Sequence, residues 1–207
     1  PVFLGYIALT DKDATLFVDT QKVTPEVEAH LKAANVKVAP YDSFFTYLAG
    51  VKGQTILLSP NSNQAIFDTI GAHNTLVQLP TPGNLMKAVK NATELEGFRT
   101  VMVRDGVAMV KFLYWLTHNV GKEPMTEYSV GLKLRDFRAE GANFVGESFG
   151  SIIGYQGNGA IVHYSAPEQG SSELKAEGSI LVDSGGQYLE GTTDITRTIP
   201  LGKVSQQ

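Results

Sequence analysis

The stretch ILVDSGGQYLEGTTDITRTIP, residues 180–200, decides how the C-terminal part of the chain is interpreted. Apolar residues precede Asp183, glycines follow it, and Asp194 opens a second run in which apolar and polar residues alternate. Two short β-rich runs joined through glycines predict a β-hairpin. A hairpin would bring the carboxylates of Asp183 and Asp194 side by side, where two unpaired negative charges repel each other. The pattern therefore predicts a cation between them.

The nature of that cation follows from the donor atoms. Carboxylates suit divalent cations such as Mn²⁺, and two of them can bridge a pair of metal ions. Such a pair lowers the pKa of water and polarises a carbonyl group. A plainer interpretation stays open, in which one aspartate caps a turn and the other pairs with Arg197 or with solvent.

Composition limits the classes of function. The chain has 207 residues, 43% of them hydrophobic and 18% charged, which is typical of a globular protein with a sizeable core. A net charge of −4 argues against nucleic acid as a partner, and without cysteine there are no disulfides and no thiolate metal site. No apolar run approaches the roughly 18–20 residues of a membrane span. Because the sequence starts at Pro1 and ends soon after the hairpin, we expect a piece of a longer protein.

Residues 1–82 alternate between strand and helix signals. VFLGYIAL, ATLFVD, VKVAP, TILLSP and TLVQLP are strand-like, and TPEVEAHLKAAN predicts a helix with Thr24 as N-cap and Pro25 as its first residue. Further helical stretches are predicted near residues 44–48 and 64–71. This alternation predicts an α/β domain, and LPTPGN, residues 79–84, is predicted to link it to the next.

Residues 83–207 follow a different pattern. A long amphipathic helix is predicted to start at a capping box of Thr93 and Glu96, to end near Gly121 and to present one apolar face, formed by Leu95, Phe98, Val101, Met102, Met109, Phe112, Leu113 and Leu116. A second helix is predicted from Thr126 to Gly141. Strand signals follow in SFGSIIG, GAIVHYS, GSILVDSGG and DITRTI. The pattern predicts an α+β domain with two helices on an antiparallel sheet.

Other chemistries are weaker matches. His163 is predicted on a strand, GAIVHYS, of the same sheet as Asp183, although a lone strand histidine is more often structural. The glycines of GYQGNGAIVHY precede a predicted strand and not a helix, so they indicate a hairpin loop and not a phosphate site. The serines of GESFGS and DSGG form no G-x-S-x-G elbow. Nothing around Asp194 indicates the apolar surroundings of a glycosidase acid.

Taken together, GAIVHY, LVDSGGQYLEGTTDITRTI and the upstream AVKNATELEGFRTVMVRDGVAM resemble the Xaa-Pro aminopeptidases, the aminopeptidase P branch of the pita-bread metallopeptidases. The resemblance is close from Lys87 onward and looser before the linker. It implies a creatinase-like α/β middle domain at residues 1–82 and the first part of a pita-bread catalytic domain at residues 83–207.

The resemblance also implies roles for three residues. Asp183 would be a bidentate ligand of one metal ion and Asp194 would bridge two, while His163 would be the catalytic residue that contacts substrate. It implies two divalent ions, Mn²⁺ with Co²⁺ or Zn²⁺ as alternatives, and hydroxide attack on the bond before a proline in second position. It further implies a cytoplasmic homodimer that acts on peptides, with no membrane or nucleic-acid partner.

One departure from the family pattern matters. The family's other ligands, one histidine and two glutamates, lie further along the chain, whereas no His, Glu or Asp follows Asp194 here. We therefore expect the 207-residue chain by itself to be inactive and its last strand to leave an open sheet edge that associates or is partly disordered.

Alternatives within and outside the fold stay open. A prolidase-like dipeptidase shares the fold, as does creatinase, which uses it without metal and which the two aspartates disfavour. A peptide-binding domain without catalysis and an inactive structural fragment are the remaining alternatives.

Overall fold

The computed structural model describes residues 3–203, and the chain divides into two compact units, Pro1–Val89 and Lys90–Gln207. Each unit has its own hydrophobic core. Among the described residues, every helix is too short or too polar to span a membrane.

The first unit alternates strands with helices, as predicted. Its elements are β1 (Gly5–Leu9), β2 (Ala14–Val18), α1 (Pro25–Ala33), β3 (Val36–Pro40), α2 (Ser43–Gly50), β4 (Thr55–Leu58), α3 (Gln64–Gly71), β5 (Thr75–Gln78) and α4 (Pro82–Ala88). β2 pairs antiparallel with β1 and parallel with β3, and β4 pairs parallel with β5. The Thr24 side chain caps α1, as the sequence indicates. Phe17, Phe44, Leu48 and Ile70 form the buried core.

The predicted linker is partly helical. Leu79–Thr81 is irregular, but α4 begins at Pro82, because proline has the backbone angle of a first helical residue and needs no N–H partner there. The compact units divide at Val89, later in the chain than the predicted boundary after residue 82.

The second unit consists of two helices and short strands. Its elements are α5 (Ala92–Asn119), α6 (Glu127–Ala139), β6 (Phe144–Glu147), β7 (Ile152–Tyr155), a 3₁₀ turn (Gln156–Ala160), β8 (Ser179–Ser184), β9 (Gly186–Tyr188) and β10 (Ile195–Pro200). β8 lies between β7 and β10 in an antiparallel sheet, and β6 pairs antiparallel with β9. Within residues 3–203, β10 has β8 as its one strand partner and therefore forms a sheet edge.

The start of α5 differs from its prediction. The capping box is formed by Asn91 and Glu94, not by Thr93 and Glu96: the Asn91 side chain accepts from the Glu94 N–H, and the Glu94 carboxylate accepts from the Asn91 N–H. Asparagine is as good an N-cap as threonine, so both patterns were possible and the earlier one is used.

The apolar face of α5 is narrower than predicted. Met109, Phe112 and Leu116 are buried in the core that α5 shares with α6 and the sheet, and Leu113 is partly buried against it. Val101 is also buried, next to Gly191. Leu95 and Met102 are instead exposed. The long helix therefore buries one stripe and leaves other apolar side chains in contact with solvent.

A buried ion pair joins α5 to α6. Arg138 donates from Nε to Asp105 Oδ1 at 2.7 Å and from Nη2 to Oδ2 at 3.2 Å, and both side chains are fully buried. The Tyr188 hydroxyl donates to Asp105 Oδ1 at 2.8 Å, which ties β9 to the same carboxylate. Burial, and then the hydrogen bond to Asp105, raises the pKa of Tyr188 above its usual value.

We expect Arg138→Met in the whole protein to lower the free energy of unfolding by about 3–5 kcal/mol, because Asp105 then remains as a buried charge without a cation. The double variant Asp105→Leu/Arg138→Met removes both charges and should be less destabilised than the single variant. Equilibrium urea unfolding measures both. A double variant less stable than Arg138→Met would contradict this account.

Candidate metal and peptide site

Asp183 lies on the side of the sheet that faces away from the helices. In β8, Ile180 and Val182 are buried in the core, so the alternating residues Leu181 and Asp183 point to the other side. Asp183 is directly opposite Ile152 on β7 and Thr196 on β10. We call this side of the sheet the outer face.

One carboxylate oxygen of Asp183 has no protein partner. Oδ1 is buried and accepts no hydrogen bond, although a buried carboxylate oxygen normally has at least one donor. No Lys or Arg side chain forms an ion pair with Asp183 within residues 3–203. An anionic oxygen without a donor is the feature expected of a cation ligand, and the site fits a divalent metal ion.

Asp194 lies at the same end of the β8–β10 ladder. It is exposed and precedes β10, two residues before Thr196, which is the partner of Asp183. In a regular antiparallel ladder, such diagonal neighbours are about 7–8 Å apart. The predicted hairpin is confirmed. Beyond the β8–β10 ladder the antiparallel pairing continues in the same register to Gln187 opposite Thr192, and the Tyr188 N–H donates to the Gly191 carbonyl at 2.9 Å where the chain turns. On its other side, β9 pairs with β6.

Close backbone packing fixes that connection. The Gly186 N–H donates to Thr193 Oγ1 at 2.8 Å, and the Thr193 N–H donates to the Gly186 carbonyl at 2.9 Å. A Cβ on Gly185 would overlap the Thr193 carbonyl oxygen and crowd the Ser148 side chain. The residue before Asp194 is therefore held directly against the end of β8.

His163 is not on a strand, and the prediction that placed it there is wrong. β7 ends at Tyr155, the 3₁₀ turn follows, and residues 161–165 have no strand partner. His163 is exposed and has a left-handed backbone angle, φ 56°. Such an angle is uncommon outside glycine and is incompatible with a strand.

The segment that carries His163 nevertheless begins on the outer face. A Cβ on Gly154 would be only 2.7 Å from the Gly159 Cα, and a Cβ on Gly159 would be 3.5 Å from the Leu181 Cβ. The 3₁₀ turn therefore lies on Gly154 and Leu181, and Leu181 shares its side of β8 with Asp183. The fold places this segment and Asp183 on the same face of one sheet.

Sequence reasoning missed Glu127. This residue starts α6, is fully buried and accepts hydrogen bonds from the segment after β7, including one from the Tyr164 hydroxyl at 2.9 Å. Desolvation, followed by the bond to Glu127, raises the pKa of Tyr164. Acidic residues are common in the first turn of a helix, so Glu127 looks ordinary in the sequence. Nothing in the sequence indicates its hydrogen bonds to residues far along the chain.

The ligand set within this chain is small. Residues 3–203 contain no group of three or more His, Cys, Asp or Glu side chains that could hold a metal ion. The roles predicted for Asp183, Asp194 and His163 therefore stay predictions.

The second unit is an α+β domain in which two helices pack on an antiparallel sheet whose outer face carries an unpartnered aspartate oxygen. Residues 96–207 match the model of metallopeptidase family M24, and residues 1–94 match the creatinase/prolidase N-terminal domain. The chain belongs to metallopeptidase family M24. The family and the fold implied by the resemblance are confirmed.

Individual proteins agree with this assignment. Xaa-Pro aminopeptidase 1 of Dictyostelium discoideum is 39% identical over 212 residues, which cover all of this chain and 33% of that protein. A probable Xaa-Pro aminopeptidase P of Pyricularia oryzae is 35% identical over 222 residues, covering all of this chain and 36% of that protein. The chain thus spans about a third of these relatives.

Solved structures share the fold. X-prolyl aminopeptidase of Caenorhabditis elegans, described as a cytosolic enzyme with a di-nuclear active site, superposes with a TM-score of 0.88 at 27% identity, over all of this chain and 35% of that one. Prolidase of Pyrococcus furiosus gives a TM-score of 0.67 at 18% identity, over 98% of this chain and 57% of that one. The second match shows the fold alone.

We expect Gly154→Ala in the whole protein to cost about 1–3 kcal/mol of stability, because the added methyl group overlaps the 3₁₀ turn. Gly157→Ala is the matched control, because Gly157 lies in the 3₁₀ turn itself and nothing is within 4 Å of its added Cβ. This substitution should change the free energy of unfolding by no more than about 0.5 kcal/mol. Thermal unfolding compares the two. Equal losses would contradict the packing of this turn on Gly154.

Proposed function

We propose that the protein containing this chain is a Xaa-Pro aminopeptidase, which releases the N-terminal residue from peptides with proline in second position. The observation that carries the proposal is the unpartnered Asp183 oxygen, in a chain that matches proteins of that name over its full length. The similarity to the Caenorhabditis elegans enzyme, at 27% identity, supports the same activity.

Asp183 and Asp194 would be ligands of two divalent metal ions. Two ions agree with the di-nuclear active site described for the Caenorhabditis elegans enzyme, and carboxylate ligands favour Mn²⁺, with Co²⁺ or Zn²⁺ as alternatives. When bound, the ions supply Lewis acidity toward the scissile carbonyl and lower the pKa of water. The buried position of Asp183 Oδ1 keeps competing water donors away from that ligand atom.

His163 would act on the substrate. Its imidazole is exposed, and its segment begins on the outer face that carries Asp183. From there an imidazole N–H can donate a hydrogen bond to a peptide oxygen on which negative charge develops. Preorganised donors of this kind stabilise the transition state more than the bound substrate.

The chain alone would not suffice. Two aspartates provide too few donor atoms for two metal ions, and no third ligand joins them within residues 3–203. We therefore propose that residues 1–207 by themselves are inactive and that the activity belongs to the whole protein. A cytoplasmic location is proposed with it, supported by the description of the Caenorhabditis elegans enzyme as cytosolic.

The assay compares peptides that differ in one residue. We expect the whole protein, loaded with Mn²⁺, to release the first residue from a tripeptide with proline second and not from one with alanine second. Asp183→Asn and Asp194→Asn should each lower kcat/KM by at least about 10²-fold and lower the bound metal measured by mass spectrometry. Asp136→Asn, an exposed carboxylate on α6, is the matched control and should change neither.

Each other outcome identifies an alternative. Cleavage restricted to dipeptides would indicate a prolidase-like enzyme. No cleavage and no bound metal would indicate a peptide-binding domain and would refute the proposed function.

A further inference from the structure

The Glu127 carboxylate is buried among neutral donors. It is 0% exposed and forms no ion pair within residues 3–203. It accepts from the Tyr155 N–H at 2.7 Å, from Asn158 Nδ2 at 3.0 Å, from the Tyr164 hydroxyl at 2.9 Å and from the Ser172 N–H at 3.2 Å. Four donors converge on a single anion, which offsets the cost of burying its charge.

These donors come from one segment of the chain. The first is Tyr155, the last residue of β7, and the others, Asn158, Tyr164 and Ser172, lie in the connection between β7 and β8. We call residues 156–172 of this connection the anchored loop. Asn158 Nδ2 also donates to the Tyr164 hydroxyl and to Ser172 Oγ, both at 3.1 Å. A single carboxylate on α6 therefore holds both ends of the loop and its centre.

His163 is next to one of these contacts. It precedes Tyr164, is exposed and has a left-handed backbone. For a residue other than glycine this conformation is strained and persists when the surrounding contacts enforce it. The Tyr164 N–H donates to the Ile161 carbonyl at 3.2 Å and closes a turn that contains His163. The hydrogen bond from the Tyr164 hydroxyl to Glu127 holds the last residue of that turn.

We propose that Glu127 is a positioning residue for His163: through the anchored loop it presets the imidazole for the peptide bound at Asp183 and Asp194. This inference rests on the proposed function. A carboxylate suits the task because its two oxygens offer about four acceptor sites and no donor. Glutamine has nearly the same shape, but its NH₂ group would face the donors of the loop.

The first test is a double-mutant cycle in the whole, Mn²⁺-loaded protein, with release of the first residue from the proline-second tripeptide as the readout. Glu127→Gln should lower kcat and kcat/KM together by about 10²-fold, with bound metal unchanged, because a misplaced group is lost from the transition state. His163→Ala should cost roughly 10²–10³-fold. When His163 is already alanine, Glu127→Gln should cost less than about threefold, since the two act as one unit.

The controls separate positioning from general stability. Asp105→Asn alters a carboxylate that is equally buried and does not contact the anchored loop, and its effect on kcat/KM should multiply with that of His163→Ala. Tyr164→Phe removes only one of the hydrogen bonds to Glu127, the one from the Tyr164 hydroxyl, and it replaces Glu127→Gln in the cycle if that variant fails to fold. Tyr164→Phe should lower kcat/KM by less than Glu127→Gln does, and this loss should also disappear in the His163→Ala background.

Amide hydrogen exchange tests the anchoring without using activity. Glu127→Gln, or Tyr164→Phe in its place, should speed exchange in residues 156–172 and leave α5 and β8 as protected as in the wild type. Equal costs of Glu127→Gln in both His163 backgrounds, or faster exchange spread over the whole unit, would overturn the inference. Wild-type protein that cleaves nothing would refute the proposed function and the catalytic role together, while the exchange result would still decide whether Glu127 holds the loop.

Discussion

The second unit depends on the position of β8 between β7 and β10. Side chains alternate across a strand, so burying Ile180 and Val182 under the helices forces Leu181 and Asp183 to the outer face. Asp183 cannot be moved to the core side without exposing the apolar residues beside it, because a shift of one residue turns every side chain over. The packing of the core thus determines where the candidate ligand points.

The charges of two fully buried carboxylates in this unit are stabilised in different ways. Asp105 has a cation, Arg138, and joins α5, α6 and β9 into one structural assembly. Glu127 has neutral donors instead, one from the last residue of β7 and three from the connection that follows it. A cation would fix one partner, whereas several dipoles can organise an extended loop around one anion.

On the outer face, a hydrogen-bonded backbone carries polar side-chain atoms that have no protein partner. Two hydrogen bonds between Gly186 and Thr193, one of them to the threonine hydroxyl, fix the hairpin before Asp194, and the 3₁₀ turn covers Gly154. On this scaffold, Asp183 Oδ1 lacks a donor and His163 remains exposed. An aspartate oxygen without a protein donor and an exposed imidazole, both on a hydrogen-bonded backbone, are groups suited to contact a metal ion and a substrate.

The sequence by itself determined the α/β character of the first unit, the two long helices of the second and the antiparallel pairing of β8 with β10, because these follow from local alternation, capping residues and glycine placement. It misplaced the cap of α5, since Asn91 and Thr93 have similar capping ability and only the actual start of the helix separates them. It also predicted a strand around His163. The apolar alternation there is real, but the backbone forms two successive turns, and two side chains of the segment donate to Glu127, which is far away in sequence. Long-range hydrogen bonds of this kind leave no local pattern, so only the tertiary structure could decide them.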